Sequence, residues 1–265
     1  MVIPLSYADA MRDRDRVAEL LAGIDAEADP AAAEQLAGYF QVRPGGYAEG
    51  DRFIGVKVSR LRVLVRPYVQ EPLSPDALSP GLTSPIHEHR LACLVILAEY
   101  ADRAQRTGDT AWATEVYETY VGHLASVDNW DLVDCSAPKV VGGYLLDRDR
   151  APLYRWIRAE SVWPRRIALV ATLRLIQAGQ TTDTYALATE VLDDRHDLIH
   201  KAAGWMLREA GKRVDEGELR RYLDEYAPRM PRTMLRYAIE RMPDDVRRRY
   251  RAMRTPVASP PPGDG

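Results

Sequence analysis

The chain has 265 residues, of which 46% are hydrophobic and 28% are charged, and its net charge is −3 at pH 7. This length can bury one continuous core, and we predict a single domain. The two cysteines, Cys93 and Cys135, lie in apolar helical stretches, which argues against a disulfide framework or a zinc site. No apolar run approaches the roughly 20 residues of a membrane span, and the N-terminus lacks a signal-peptide core. We therefore expect a cytoplasmic protein without a membrane partner.

The charge is distributed unevenly along the chain. Residues 161–255 hold 19 Lys and Arg against 14 Asp and Glu, a net charge of +5, which leaves −8 for the rest. Only four of the 36 basic residues are lysines, and the guanidinium group of arginine suits bidentate contacts with phosphate. The second half is therefore a candidate phosphate-binding surface, although richness in arginine can also reflect a codon bias.

Helical spacing of apolar residues recurs from one end of the chain to the other, without a convincing alternating strand. The predicted helices cover residues 8–25, 29–41, 58–69, 86–105, 110–126, 129–146, 149–159, 164–178, 182–192, 196–212, 215–226, 231–241 and 243–253. The glycine-rich stretch 43–51 and the four prolines of residues 71–85 interrupt this series. Residues 255–265 have nothing to bury, and we predict that this tail is disordered.

A short basic-x-Ala pattern recurs along the chain. It is found at Arg90, Arg166, Lys201 and Arg236, at spacings of 76, 35 and 35 residues. A period of about 35 to 40 residues with helical spacing is typical of an α-solenoid, in which helix pairs stack and leave one face for a partner. We therefore predict an all-α fold, an α-solenoid of stacked helical repeats.

The first of these spacings is two periods long, so one copy of the pattern is missing, and we expect it near residue 129. The chain there reads Asn-Trp-Asp-Leu-Val-Asp, with acids and an aromatic where the other repeats carry a cation. Trp130 and Asp134 are four residues apart and share a helix face. Pro138 removes the N–H that would bond the Asp134 carbonyl, which predicts a kink beside this acid. Asp131, near the helix start, is placed where an acid commonly complements the helix dipole.

The predicted helix 196–212 has an apolar stripe and a separate cationic face. The stripe has the i, i+3, i+4, i+7 spacing and consists of Ile199, Ala202, Ala203 and Met206. Lys201, Trp205 and Arg208 lie on a different face. A tryptophan between two cations suits a surface that holds phosphates and presses a flat ring on a sugar or base. The alternative is that Trp205 fills a groove between repeats and the cations are solvated.

The sequence contains no metal-ligand cluster, phosphate-cradling motif or nucleophile triad that we could identify. His87 and His89 could imitate a metal site, but residues two apart point in different directions on a helix. We therefore predict neither a metal nor a cofactor.

Three ordered segments resemble the AlkD-like alkylpurine DNA glycosylases, whose fold is an array of HEAT-like repeats. They are Trp130-Asp131-Leu132-Val133-Asp134, residues 162–168 (Val-Trp-Pro-Arg-Arg-Ile-Ala), and residues 201–209 (Lys-Ala-x-Gly-Trp-x-Leu-Arg-Glu). The resemblance covers roughly residues 29–250, and loop 47–55 is longer than in the best-studied members. It implies a single HEAT-like repeat domain over residues 1–254, in which residues 1–28 either cap the solenoid or contact DNA.

The resemblance also implies an activity. It indicates a monofunctional DNA glycosylase that hydrolyses the N-glycosidic bond of cationic N3- or N7-alkylated purines in double-stranded DNA, acting as a monomer in base excision repair. Asp134 would be the catalytic carboxylate, with Trp130 and Trp205 flanking the sugar of the lesion. The implied DNA contacts are Arg166 at the backbone, Lys201, Arg208 and Lys212 at phosphates, and Tyr39 as a lesion-side aromatic.

The competing interpretation is a non-catalytic scaffold that binds DNA or another protein. Arrays of this kind most often bind proteins, and the basic-x-Ala pattern is then structural, with each cation bonding an acid of the next repeat. The charge distribution is compatible with both interpretations.

Overall fold

A computed structural model describes residues 7–253, so the predicted disordered tail 255–265 lies outside the described residues. Within this range the chain forms fourteen α-helices, and its only strand-like pairing is an isolated backbone bridge between Arg52 and Ile86. The predicted all-α class is confirmed. None of the helices in residues 7–253 has the length and apolar character needed to cross a membrane.

Contacts within the chain define two compact units, residues 1–150 and residues 151–265. The first unit contains α1 (Tyr7–Asp25), α2 (Pro30–Tyr39), α3 (Val58–Gln70), α4 (Ser79–Leu82), α5 (His87–Thr107), α6 (Thr110–Gly122) and α7 (Trp130–Ala137). Helix α5 is its centre and packs against α3, α6 and α7. A helix that is buried on most sides carries apolar residues around its circumference, which explains the long apolar run of α5. The prediction of one repeat domain over residues 1–254 stays a prediction.

The second unit contains α8 (Ala151–Trp156), α9 (Val162–Gln177), α10 (Thr182–Glu190), α11 (Asp197–Arg213), α12 (Glu216–Tyr226), α13 (Arg232–Ala238) and α14 (Asp244–Ala252). Helix α11 packs between α9 and α13 and also contacts α10 and α12, as expected for stacked helix pairs. Gly204 allows α11 and α13 to approach closely, because a Cβ there would lie 2.4 Å from the Met234 carbonyl oxygen. The apolar stripe predicted for α11 is confirmed: its four residues are each 0% exposed.

Each of the thirteen predicted helices has a counterpart in the structure. Two sequence predictions need correction, one on the extent of a helix and one on a breaker segment. Residues 129–146 do not form one helix, because α7 ends at Ala137 and a π-helical turn follows from Pro138 to Gly142. Residues 71–85 are not only a breaker segment: they contain a 3₁₀ turn, Pro75–Leu78, and the short helix α4. Prolines stand in the first turn of both, where the missing N–H costs nothing.

The register of the helices relates Asp134 to the basic-x-Ala pattern. Arg166, Lys201 and Arg236 are each the fifth residue of their helices, α9, α11 and α13, whereas Arg90 is the fourth residue of α5. The fifth residue of α7 is Asp134. An acid therefore occupies the helix position at which α9, α11 and α13 carry a cation, and the missing copy near residue 129 stays a prediction.

Candidate active site

Helix α7 is defined at both ends by its own sequence. Asn129 has extended backbone and its side-chain oxygen accepts a hydrogen bond from the N–H of Trp130 at 2.8 Å, which caps the helix. At the other end Pro138 cannot donate to the ladder, and the N–H of Gly143 donates to the Pro138 carbonyl, five residues back. Asp134 lies in the middle of this short helix and is half-buried, with its backbone fixed on both sides.

The inner face of α7 is apolar, as the sequence predicts. Its buried residues before and after the proline are Leu132, Val133, Val140 and Val141. Trp130 and Asp134 are both half-buried, so neither side chain is enclosed in the core. The kink predicted at Pro138 takes the form of a π-helical turn, a feature that is frequent at functional sites.

Four rings stack in series from Trp130 into the interior of the first unit. Trp130 stacks on Phe40 with 5.2 Å between the ring centroids and 17° between the planes. Phe40 stacks on Phe53 at 4.8 Å and 23°. Phe53 stacks on the imidazole of His87 at 4.2 Å and 24°. This series fixes the plane of the Trp130 indole, because rotation would break its stacking on Phe40.

Two tyrosines complete the surroundings of the Trp130 ring. Tyr39, at the end of α2, is 66% exposed and meets Trp130 edge-on with 6.2 Å between centroids. Tyr47 belongs to the glycine-rich loop 43–51, and its hydroxyl oxygen accepts a hydrogen bond from Trp130 Nε1 at 3.1 Å. The loop that was predicted only as a breaker therefore contacts the candidate site directly.

His87, the first residue of α5, lies between two carboxylates and is 1% exposed. Its Nδ1 is 2.8 Å from an oxygen of Asp51, and its Nε2 is 2.9 Å from an oxygen of Asp131. Burial favours the neutral imidazole, but hydrogen bonds and charge attraction from Asp131 and Asp51 outweigh it and raise the pKa of His87 to about 9. Both ring nitrogens therefore donate, and the imidazole is a cation at neutral pH. Asp131 is a partner of this ring and not only a complement to the helix dipole.

Asp51, at the end of the glycine-rich loop, joins α5 to the start of α7. Besides His87, its carboxylate accepts hydrogen bonds from Arg90 at 2.8 Å and from the Asn129 side chain at 3.1 Å. Burial opposes its ionisation, but His87 and Arg90 outweigh that effect and hold the pKa of Asp51 far below its usual range. Arg90 also donates to Asp128 at 3.1 Å. The basic-x-Ala cation of this repeat is thus used to bind acids inside the unit.

Glu88 holds the chain that follows the loop. Its carboxylate accepts hydrogen bonds from three consecutive backbone N–H groups, those of Ile54, Gly55 and Val56, at 2.8 to 3.2 Å. Gly55 has a φ of +92°, and a Cβ there would lie 2.1 Å from the Asp29 carbonyl oxygen, so this position requires glycine. The segment that carries Phe53 is therefore held firmly against α5.

A cavity of about 310 Å³ opens beside this network. Its walls include Phe40, Phe53 and Leu91, and exposed Tyr39 lines it as well. The Asp131 carboxylate also lines the cavity. Lys57 and His87 line it too, so the cavity combines an aromatic wall with charged groups of both signs, which suits a flat group with polar edges.

The second histidine of the run on α5 diverges from the first, as the sequence predicts. His89 Nε2 is 3.0 Å from an oxygen of Asp25, and its Nδ1 is 3.0 Å from the Ser84 hydroxyl. Across residues 7–253 no group of three or more His, Cys, Asp or Glu side chains has an arrangement that could hold a metal ion.

Several candidate residues lie in the second unit, and their contacts are local. Arg166 is 5% exposed and donates from Nη1 to the Leu198 carbonyl oxygen at 2.7 Å. Lys201 Nζ is 2.8 Å from an Asp197 oxygen, one helical turn away. The contact of Arg166 is that of a structural cation, and the DNA contacts predicted for it and for Lys201 stay predictions.

The remaining candidates of the second unit also lie on α11. Trp205 is half-buried and packs against the cluster formed by Ile176, Met206 and Ala210, as the groove-filling alternative predicts. Arg208 binds the carboxylates of Glu209 and Glu240. Lys212 is exposed, and within the described part of the chain it makes no ion pair. Lys212 is therefore the α11 cation most accessible to a phosphate.

Sequence reasoning missed the residues that organise the site around α7. They are Phe40, Tyr47, Asp51, Phe53, His87, Arg90, Asp128 and Asn129. Arg90 was recognised only as a repeat copy and His87 only as a false metal ligand. The hydrogen bonds of Asp51 alone join residues 36 to 78 positions apart, from His87 to Asn129. The sequence signal that was available is the dense polar run His87-Glu88-His89-Arg90 at the start of a buried helix.

Comparison with known proteins agrees with this architecture. A solved structure described as a predicted DNA alkylation repair enzyme from Enterococcus faecalis resembles this chain with a TM-score of 0.60 and 17% sequence identity. The similarity covers 82% of this chain and 98% of that one, and at this identity it concerns the fold alone. No curated protein matches the sequence. The sequence model of one family, described as DNA alkylation repair enzyme, matches residues 20–242. The chain therefore belongs to the DNA alkylation repair enzyme family.

Proposed function

We propose that the protein is a monofunctional DNA glycosylase that removes cationic N3- and N7-alkylated purines from double-stranded DNA. The observation that carries the proposal is half-buried Asp134, one helical turn after Trp130 on α7, at the fifth helix position where α9, α11 and α13 carry a cation. Membership of a DNA alkylation repair family supports DNA as the substrate. We further propose that the protein acts in the cytoplasm, as a monomer and without a cofactor.

The chemistry needs few groups because the lesion is already activated. An N3- or N7-alkylated purine is cationic, so when the N-glycosidic bond breaks, the bonding electron pair neutralises the base and no general acid is required. The deoxyribose then gains oxocarbenium character at C1′. The Asp134 carboxylate stabilises this charge and accepts the proton of the water that attacks C1′. The electron-rich face of Trp130 adds cation–π attraction.

The magnitude of these effects is sufficient for catalysis. One preorganised electrostatic partner contributes about 3 to 4 kcal/mol, which corresponds to a hundredfold or more in rate. Neutral lesions offer poorer leaving groups, so we propose that the enzyme selects cationic adducts. Trp205 is proposed to flank the sugar of the lesion. Tyr39, Arg166, Lys201, Arg208 and Lys212 are proposed to contact DNA.

The test is release of free base from duplex DNA that contains N7-methylguanine. We expect the wild-type protein to release the base, and Asp134→Asn to lose at least about 99% of the activity while still binding the duplex. Because a groove that follows phosphates releases counterions, its affinity for DNA must also fall as salt rises. Release by Asp134→Asn at the wild-type rate would remove this carboxylate from the mechanism.

A binding protein without catalysis is the second candidate. Its protein-binding form is favoured by the contacts of Arg166, Lys201 and Arg208, whose donors are already used within the second unit. Its DNA-binding form would be established by salt-dependent binding of alkylated duplex by the wild type with no base released. The two candidates therefore differ in one measurement, the appearance of free N7-methylguanine.

A further inference from the structure

The residues that begin α7 are fixed from outside the helix. Asp128, Asn129 and Asp131 are neighbours in sequence, and each bonds a side chain of the group formed by Asp51, His87 and Arg90. These six residues will be called the α7 clamp. Asp51 comes from the glycine-rich loop, His87 and Arg90 come from α5, and the other three residues begin α7. The clamp therefore joins three chain segments at the point where the candidate active-site helix starts.

The geometry of the clamp requires a cation at its centre. A carboxylate only accepts hydrogen bonds, so His87 must donate from both nitrogens to satisfy Asp51 and Asp131 at 2.8 and 2.9 Å. Arg90 adds a second cation, and its own side chain is almost fully enclosed. The two cations face the three carboxylates of Asp51, Asp128 and Asp131. Charge-assisted hydrogen bonds of this kind hold position more tightly than neutral ones.

The same centre also fixes the ring of Trp130. The imidazole of His87 ends the series of stacked rings that begins at Trp130 and passes through Phe40 and Phe53. The Nε1–H of Trp130 also donates to the Tyr47 hydroxyl, from the loop that supplies Asp51. The buried group of Asp51, His87 and Arg90 therefore holds both the backbone at the start of α7 and the ring of Trp130.

We propose that Asp51, His87 and Arg90 are positioning residues of the candidate active site, which clamp the start of α7 and so fix where Trp130 and Asp134 stand. They do not touch the reacting atoms. Their effect on catalysis rests on the proposed glycosylase function, whereas their effect on α7 does not depend on it. A misplacement of about 1 Å at a catalytic group can cost roughly a hundredfold in rate, so such residues matter without contacting the substrate.

The experiment compares Asp51→Asn with a matched control, Asp25→Asn. Both changes remove one carboxylate that binds a histidine of α5, but Asp25 binds His89 and lies outside the clamp. We expect amide hydrogen exchange of the peptide covering residues 128–137 to become roughly tenfold faster or more in Asp51→Asn and to stay unchanged in Asp25→Asn. Peptides of the second unit serve as an internal reference in both variants.

A spectroscopic measurement on the wild type does not depend on any variant folding. In NMR of isotope-labelled histidine at about pH 7.5, we expect His87 to show two protonated, slowly exchanging ring nitrogens, the signature of a held imidazolium. In Asp51→Asn the ring should lose its proton at lower pH. A neutral His87 ring in the wild type at this pH would overturn the proposal, as would unchanged exchange of residues 128–137 in a folded Asp51→Asn.

Kinetics then distinguish positioning from general damage. With N7-methylguanine duplex, Asp51→Asn should release base roughly tenfold more slowly or worse at saturating protein, with less than about a twofold change in affinity for the duplex. Arg90→Lys, which keeps the charge, should retain more activity than Arg90→Gln. If the wild type releases no base, the proposed function fails, and exchange and NMR alone decide on the clamp.

Discussion

Helices α7 and α11 carry residues of opposite charge at the same helix position and hold them in different ways. Each has a charged fifth residue, Asp134 in α7 and Lys201 in α11, and each carries a tryptophan. Around α7 the contacts come from distant segments and leave Trp130 and Asp134 at the surface of their unit. On α11 the lysine pairs with Asp197 one turn away, and Trp205 packs on an apolar cluster.

The difference between α7 and α11 shows that the same residue types can have different roles. A tryptophan beside a charge suggests a binding surface, and in α11 the same pattern also satisfies the needs of packing. What distinguishes α7 is that the polar side chains at its start bond a buried group of Asp51, His87 and Arg90, whereas the long-range pair of α11, Arg208 with Glu240, is partly exposed. Buried polar networks are costly, and within residues 7–253 this one leaves Arg90 Nε buried without a hydrogen-bond partner; that such a network is kept beside a short helix indicates that the position of that helix matters.

The largest expected effect comes from making α7 resemble the other helices. Asp134→Lys installs the cation that α9, α11 and α13 carry at their fifth residue. We expect base release to fall by about a hundredfold to a thousandfold, because the stabilising charge is inverted. Affinity for DNA should rise, with a steeper salt dependence. Single-turnover release of N7-methylguanine and binding titrations at several salt concentrations measure both quantities.

The converse change is the control for this prediction. Lys201→Asp brings α11 to the charge of α7, and we expect weaker DNA binding with base release retained once the protein saturates the DNA. Equal losses of release in both variants would show that the two positions do not differ in role.

The next effect concerns the dependence of stability on pH that the buried His87 introduces. The pKa of His87 in the folded protein, about 9, lies above its usual value of about 6.5. The stabilisation by His87 is therefore fully present below about pH 6.5 and is lost as pH rises through about 9. The shift corresponds to on the order of 3 kcal/mol.

The pKa shift of Asp51 has the opposite sign to that of His87. Its pKa is lowered, so its contribution is present above about pH 4 and is lost as pH falls below that value. Urea unfolding of wild type and His87→Asn between about pH 6 and 10 tests the histidine part: the variant should lose most of the decline seen in the wild type. Parallel curves for the two proteins would contradict a charged His87 in the clamp.

A smaller effect should separate the two tryptophans. Trp205→Ala removes a ring from the cluster of Ile176, Met206 and Ala210, and we expect about 2 kcal/mol lower stability of the second unit. Trp130→Ala removes a half-buried ring that stacks on Phe40, meets Tyr39 edge-on and donates to Tyr47, and we expect about 1 kcal/mol. Urea unfolding gives both values, and base release should fall in Trp130→Ala even where the protein remains folded. A larger stability loss for Trp130→Ala would reverse the comparison.

The parts of the fold that depend on local periodicity could be predicted from the sequence. The stripe of Ile199 and Met206 follows from helical spacing, and the missing N–H of Pro138 predicts a kink, although not that α7 ends at Ala137 in a π-helical turn. The helix α4 was missed because Pro80 was interpreted as a breaker, whereas proline is compatible with a first helical turn.

The organisation of the site could be predicted only in part. Trp130 and Asp134 were identified because they depart from a repeat, which is a local signal. The pairing of Asp51 with His87 spans 36 residues and depends on how the glycine-rich loop folds onto α5. The periodicity of the sequence does not predict such a contact, because tertiary packing alone brings the two residues together.

The smallest expected effect tests whether α11 is purely structural. Lys201→Gln removes an exposed i, i+4 ion pair with Asp197, and such pairs contribute about 0.5 kcal/mol or less, so urea unfolding should barely change. If Lys201 also meets a phosphate in the complex, its DNA affinity should fall uniformly across sequences and the salt slope should drop by about one. Asp197→Asn is the matched control, because it releases the lysine and should strengthen binding. If neither variant changes the salt slope, Lys201 does not contact DNA and has only a structural role, in contrast to the role proposed for Asp134.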